Sequence, residues 1–149
     1  MRQQSLYGRA VGLLARREHS AYELKQKLAK LDVTEDEVEQ VIEQLQQAGL
    51  QSDIRFAENY VRYRSQRGQG PLRIKQELNE RGVTSEITDD QINQLDIDWY
   101  ELAHNVRCKR FGEASPTDFK ERAKQQRFLQ YRGFSHDHIN ESLNRHDEK

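Results

Sequence analysis

Three short stretches spaced about fifty residues apart carry one pattern, and that repetition restricts the chain more than any other feature. Leu28-Ala-Lys-Leu-Asp-Val33, Leu78-Asn-Glu-Arg-Gly-Val83 and Leu129-Gln-Tyr-Arg-Gly-Phe134 each follow a segment with helical periodicity and precede another. Leu24 and Leu28 correspond to Ile74 and Leu78, and Ile42 and Leu45 to Ile92 and Leu95. The third copy is less regular: Ile139 and Leu143 continue the pattern, but Gln125 stands where Leu24 and Ile74 stand. A unit this small cannot bury its apolar face alone and must stack on its neighbours. Three units in series are expected, over residues 1–52, 53–97 and 98–149.

The apolar residues within each unit fall at helical intervals, as in Tyr7, Ala10, Val11, Leu14 and in Val38, Val41, Ile42, Leu45. No alternation of period two is present, and the 149 residues include only two prolines, so the expected class is all-α. Hydrophobic residues make up 34% and charged residues 33%, too few apolar groups for one compact core of this length. That balance means either disorder or a divided core, and the regular spacing favours the second. The expectation is an elongated tandem array of three three-helix repeats, with a long curved face suited to an extended partner.

Capping chemistry marks the helix starts. Ser20 with Glu23 and Thr34 with Glu37 have capping-box spacing, and Ser115-Pro116 suits an N-cap and first helical residue. Gly49 suits the end of the helix that carries Val41 and Leu45, and Gly68-Gln-Gly-Pro71 reads as a turn opening the next helix.

Net charge is -1, yet the charges lie in blocks. Residues 1–31 hold seven basic and two acidic side chains, whereas Asp32 to Asp53 hold seven acidic and no basic ones. Arg55 to Arg81 hold seven basic and three acidic, and Glu86 to Glu101 six acidic and no basic. Arg107 to Arg132 hold eight basic and three acidic, and Asp137 to Lys149 four acidic and two basic. Each unit therefore joins basic first and second helices to an acidic third helix.

No stretch has the apolar length of a membrane helix, and Met1-Arg2-Gln3-Gln4-Ser5 lacks the apolar core of a signal peptide, so a cytoplasmic location without membrane contact is expected. The single cysteine, Cys108, excludes an intramolecular disulfide and reads as a small core-side residue. Trp99 and Tyr100 read as buried anchors between the second and third units.

Three segments carry a family resemblance. Leu14-Ala-Arg-Arg-Glu-His-Ser-Ala-Tyr-Glu-Leu-Lys-Gln-Lys-Leu28, then Phe56-Ala-Glu-Asn-Tyr-Val-Arg-Tyr-Arg-Ser65 leading to Gly68-Gln-Gly-Pro-Leu-Arg-Ile-Lys-Gln-Glu-Leu78, and finally Gln126-Arg-Phe-Leu-Gln-Tyr-Arg-Gly-Phe134 resemble RecX, the bacterial regulatory family of the RecA recombinase. The resemblance extends over nearly the whole chain, in three separate stretches in order. It implies tandem three-helix repeats that bind the RecA–DNA filament in its helical groove. It also implies inhibition of ATP hydrolysis, strand exchange and filament growth, with no catalysis by the chain itself and no cofactor.

The residues read by themselves point to a binding role without naming the partner. Arg62, Arg64 and Arg67 precede the Gly68–Pro71 turn and Arg73 and Lys75 follow it, which gathers cations suited to phosphate. Lys109, Arg110, Lys120, Lys124, Arg127 and Arg132 form a second group in the third unit. A charged block is often only a solvated face, but its recurrence in every unit favours a stripe that follows a polyanion. Phe56, Tyr60 and Tyr63 share helical spacing; Phe56 and Tyr60 belong on the buried side with Ala57 and Val61, while Tyr63 suits either burial or base stacking. Single- and double-stranded DNA are thus expected as weaker direct partners beside the RecA filament, with the chain acting as a monomer. A helical protein acting on nucleic acid directly is the alternative.

Enzymatic readings find little support. There is no GxxxxGK[ST] phosphate loop. His104 and Cys108 stand four apart on a helix, and His136, His138 and His146 cluster near the end, but nothing in the sequence assembles four ligands, so no metal is expected.

Overall fold

The computed structural model describes residues 2–145, and among these nine helices follow one another with no strand. The first triplet is α1 (Arg2–Arg16), α2 (Ala21–Leu28) and α3 (Glu35–Gln47). The second is α4 (Asp53–Gln66), α5 (Pro71–Glu80) and α6 (Ser85–Gln94), and the third is α7 (Trp99–Phe111), α8 (Phe119–Tyr131) and α9 (His136–Asn144). The all-α expectation of three-helix repeats in tandem holds. The chain divides into two compact units, one of residues 1–60 with 78–91 and the other of residues 61–77 with 92–149.

In the first unit, α2 has only eight residues, too few to persist alone in water, so its ends and its apolar stripe must be satisfied by neighbours. Leu24 and Leu28 pack into a core with Leu6 and Ala10 of α1 and Val38, Val41, Ile42 and Leu45 of α3. Both expected capping boxes form: the Ser20 hydroxyl accepts from the Glu23 amide, and the Thr34 hydroxyl from the Glu37 amide, each with the reciprocal glutamate bond. Asp53 Oδ1 accepts the Ala21 amide at 2.9 Å, so the start of α4 also caps α2. Gly49 takes a left-handed φ of 74° just past α3, as its position suggested.

In the second unit, α7 to α9 enclose Ala103, Leu129, Phe134, Ile139 and Leu143. Trp99 packs partly buried against this core, whereas Tyr100 is 43% exposed with its ring perpendicular to that of His138, so Tyr100 is not the buried anchor that the sequence suggested. The Ser115-Pro116 reading is also corrected. Helix α8 starts at Phe119 with Asp118 as N-cap, accepting the Glu121 amide, while the Ser115 hydroxyl donates to the Arg145 carbonyl. Asp118 has the same three-residue spacing to Glu121 as the other caps, and its carboxylate adds a favourable charge at the helix start.

Gln125, the polar residue at a repeat position otherwise apolar, has a structural reason. It is buried and its Oε1 accepts from Arg107 Nη1 at 3.1 Å. Arg107 is fully buried and donates also to Ser142 Oγ at 2.8 Å and to the Ala114 carbonyl at 3.3 Å. A buried guanidinium needs every donor engaged, and this one joins α7 to α8, α9 and the intervening loop.

The repeat turns carry the other feature that positions the site. Gly82 and Gly133 both have positive φ, at 78° and 96°. A Cβ on Gly82 would stand 2.4 Å from Tyr22 Cβ, and one on Gly133 would stand 2.3 Å from Arg73 Cβ. Each turn thus lies directly on the first turn of the second helix in the preceding triplet. Hydrogen bonds to its carbonyls hold it there: the Ser20 hydroxyl donates to the Arg81 carbonyl at 2.7 Å, the Gly70 amide to the Arg132 carbonyl at 2.7 Å, and the Leu72 amide to the Gly133 carbonyl at 2.9 Å. Asp32, at the same repeat position in the first copy, is exposed and keeps an ordinary φ. Gly82→Ala and Gly133→Ala are each expected to cost about 2 kcal/mol or more, from both the φ and the collision, as read by urea unfolding. Asp32→Ala should change stability by less than about 0.5 kcal/mol. Small and equal shifts at all three positions would show that the turns do not need this approach.

Candidate functional site

The end of α4, the outer face of α7 and the last turns of α8 enclose a cleft of about 510 Å³ in the second unit. Arg67, Lys109, Arg110 and Arg132 line it together with Leu102, Val106 and Phe128. Four of the eleven sequence-selected cations thus come from two separate charge blocks to one place. None of these four has a carboxylate within ion-pair distance among the described residues.

Aromatic rings and backbone carbonyls position three of these side chains, Arg67, Arg110 and Arg132. The guanidinium groups of Arg132 and Arg110 lie 5.0 and 5.2 Å from the Phe128 ring centre. Phe128 is itself set edge-on against Phe111 at 5.3 Å. Arg132 Nη1 also donates to the carbonyls of Arg67 and Gly68, at 3.3 and 3.5 Å, where α4 ends and its dipole favours a cation. Gly68 leaves room for this: a Cβ there would meet Arg132 Nη1 at 3.0 Å and Val106 at 3.1 Å. Arg67 lies 4.6 Å over the ring of Tyr63, which is 50% exposed. Tyr63 is therefore the accessible ring of its helical row. Phe56 is buried, and Tyr60 is half-buried beneath Arg81 at 5.1 Å.

The remaining selected cations are elsewhere. Arg64 and Arg73 share Glu77, at 3.9 and 3.1 Å, and the hydrogen bond to Glu77 raises the pKa of Arg73 further. Arg62 and Lys75 are exposed and do not line the cleft. Lys120, Lys124 and Arg127 are exposed on α8, with Lys124 Nζ 6.0 Å from the Phe111 ring. Sequence reasoning missed Phe128 and Tyr131. Tyr131 is 74% exposed and carries the Arg73 guanidinium at 5.1 Å over its ring. The signal was the alternation Arg127-Phe-Leu-Gln-Tyr-Arg132, which places aromatic and cationic side chains side by side.

By contrast, a cleft on the first unit is lined by Asp36, Glu39 and Glu43 of α3, with Lys25 opposite. The segregation of charge seen along the sequence is thus preserved in three dimensions.

The chain matches family models described as the first, second and third three-helix domains of RecX, over residues 7–45, 52–90 and 96–143. The chain belongs to the RecX family. It is 46% identical to the regulatory protein RecX of Halorhodospira halophila over 130 residues, covering 87% of this chain and 81% of that one. It is 40% identical to the regulatory protein RecX of Escherichia coli over 146 residues, covering 91% and 88% respectively. A crystal structure of RecX from Lactobacillus salivarius matches with a TM-score of 0.80 at 26% identity, covering 95% of this chain and 94% of that one. RecX proteins are regulatory and non-enzymatic. No helix among the described residues is long and apolar enough to cross a membrane.

Three histidines of this chain, His19, His104 and His138, serve the fold. His104 Nε2 lies 3.4 Å from Cys108 Sγ, while its Nδ1 faces Ser142 Oγ at 3.2 Å. Among the described residues no group of three or more His, Cys, Asp or Glu side chains converges. His136 is exposed, and His146 lies outside the described residues. His138 is the third residue of the α9 capping box, where its Nδ1 accepts the Ser135 amide at 3.2 Å. His19 is buried, with Nδ1 3.0 Å from the Arg17 carbonyl and Nε2 2.9 Å from the Lys27 ammonium, so Nδ1 holds the proton and Nε2 accepts.

Burial, the leading cause, lowers the pKa of His19, His104 and His138 below the ordinary 6.5. Nearby cations reinforce this: Arg17 and Lys27 at His19, Arg145 and Arg107 at His104. The unfolded chain therefore takes up protons first. The stability these groups contribute is complete above pH 6.5 and declines as pH falls towards the lower folded-state values. Urea midpoints are expected to be level from pH 8 to 7 and to drop between pH 6.5 and 5, whereas a midpoint that rises over the acidic interval would contradict the assignment.

Proposed function

We propose that this chain binds the RecA–DNA filament in its helical groove and inhibits the recombinase, lowering ATP hydrolysis, strand exchange and filament growth. The observation that carries the reading is the carboxylate-free cleft, in which Arg67, Lys109, Arg110 and Arg132 meet around Phe128. Fixed cations of this kind suit a nucleoprotein, whose DNA presents phosphates at regular spacing. Membership of the RecX family supplies the recombinase as partner.

The charge distribution extends the argument. In this reading the basic surfaces of the second and third triplets, including Lys120, Lys124 and Arg127, meet DNA, and acidic α3 meets basic surface on filament subunits. Repeats bounded at 1–52, 53–97 and 98–149 act as successive contacts of one monomer in the cytoplasm. A body engaging several subunits at once would hold them in one arrangement and resist the rearrangement that accompanies each ATP turnover. Occupation of the groove would also exclude a second DNA strand.

The cleft favours one further reading, a helical protein that acts on nucleic acid without recombinase. Purified protein added to preformed RecA filaments on single-stranded DNA separates them. ATP hydrolysis and strand exchange are expected to fall several-fold at saturating protein. Unchanged rates of both would refute the filament reading.

A further inference from the structure

We infer that the cleft of the second unit holds one nucleotide of a single nucleic-acid strand, with its phosphate on Arg67, Lys109 and Arg110 and its base against Leu102, Val106 and Phe128. This deepens the filament reading by naming what the cleft itself meets, and its test contains no recombinase, so the two can fail separately.

The lining combines two chemistries that few ligands satisfy together. Its cations are uncompensated by any carboxylate within ion-pair distance among the described residues, which calls for an anion. Its apolar floor calls for a flat or hydrophobic group next to that anion. A nucleotide in a single strand offers both, because its base is free to leave the stack. A duplex offers only phosphates, since its base faces are already buried against one another. The positions are set before the strand arrives: Arg132 is held by the α4 carbonyls and by Phe128, and Arg110 stacks on the same ring, so little order remains to be lost on binding.

The surroundings continue the same pattern. Tyr63 lies beside the cleft, half-exposed and joined to it by Arg67, and supplies a stacking surface for a neighbouring base. Lys124 and Arg127 carry positive charge onward along α8. An acidic peptide would satisfy the cations but would make no use of the exposed ring. The observations therefore favour a polynucleotide, and the peptide becomes one outcome of the test.

The experiment measures fluorescence anisotropy of a labelled twenty-nucleotide oligo-thymidine with the full chain, across a series of salt concentrations. The expected result is binding that weakens steeply with salt and drops at least ten-fold in Lys109→Glu/Arg110→Glu, while Lys25→Glu in the first unit stays within two-fold. Both substituted sites of the double variant are exposed, and an unchanged melting curve separates lost binding from lost fold. An abasic strand of equal length and a duplex should each bind at least five-fold more weakly. Equal affinity for the abasic strand or the duplex, displacement by polyglutamate at comparable charge concentration, or full binding by the double variant would overturn the inference.

Discussion

The contact between Gly133 and the first turn of α5 determines how the unit that carries the cleft is put together. The turn has backbone against backbone, with the Gly70 and Leu72 amides donating to the Arg132 and Gly133 carbonyls. These two donors belong to the start of α5, where the helix leaves its own amides unsatisfied, so the neighbouring turn acts as its cap. Glycine is required on both sides, since a Cβ on Gly70 would come within 2.5 Å of the Gly133 carbonyl carbon. Because Arg132 immediately precedes that turn, the docking also delivers its side chain to the α4 carbonyls and closes the cleft. The same arrangement recurs where Gly82 meets Tyr22 and Ser20 bonds Arg81. Packing and site are thus products of one repeated contact.

Electrostatics then decides which surfaces remain available. Glu77 occupies Arg64 and Arg73, and Glu18 occupies Arg55 at 2.8 Å, so those cations serve the fold. Exposed pairs of this type add little stability, but they remove positive charge from the ligand's reach. The three cleft arginines are instead held by rings and carbonyls, which orient a guanidinium without neutralising it. Arg107 shows the opposite treatment, with its charge enclosed and its donors satisfied by neutral oxygens of Ser142, Gln125 and Ala114.

Much of the fold was legible because its determinants are local. Capping boxes at Ser20 and Thr34, the glycine after α3 and the turn before Pro71 depend only on a few adjacent residues. The start of α8 was misplaced because Pro116 masked the Asp118-to-Glu121 signal, and the α9 box was hidden because histidine occupies the place usually held by glutamate. Tyr100 was taken as buried by its size, although its ring contributes only an edge contact to His138. Charge blocks located the cations but not their company: Arg67 and Arg64 look alike in sequence, and only the approach of Glu77 to one and of α7 to the other separates them. Gln125 was the visible irregularity whose explanation, a buried arginine 18 positions earlier, needed the third dimension.

The cleft depends on one premise, that the turn at Gly133 stays on α5 in solution. Amide hydrogen exchange at Gly70 and Leu72 measures that premise directly, since both amides are protected only while the turn is docked. Protection close to that of the buried Leu129 amide is the expected result. Exchange at the rate of exposed loop amides such as Glu113 would mean that the turn undocks freely, and the account of the site built on it would be wrong.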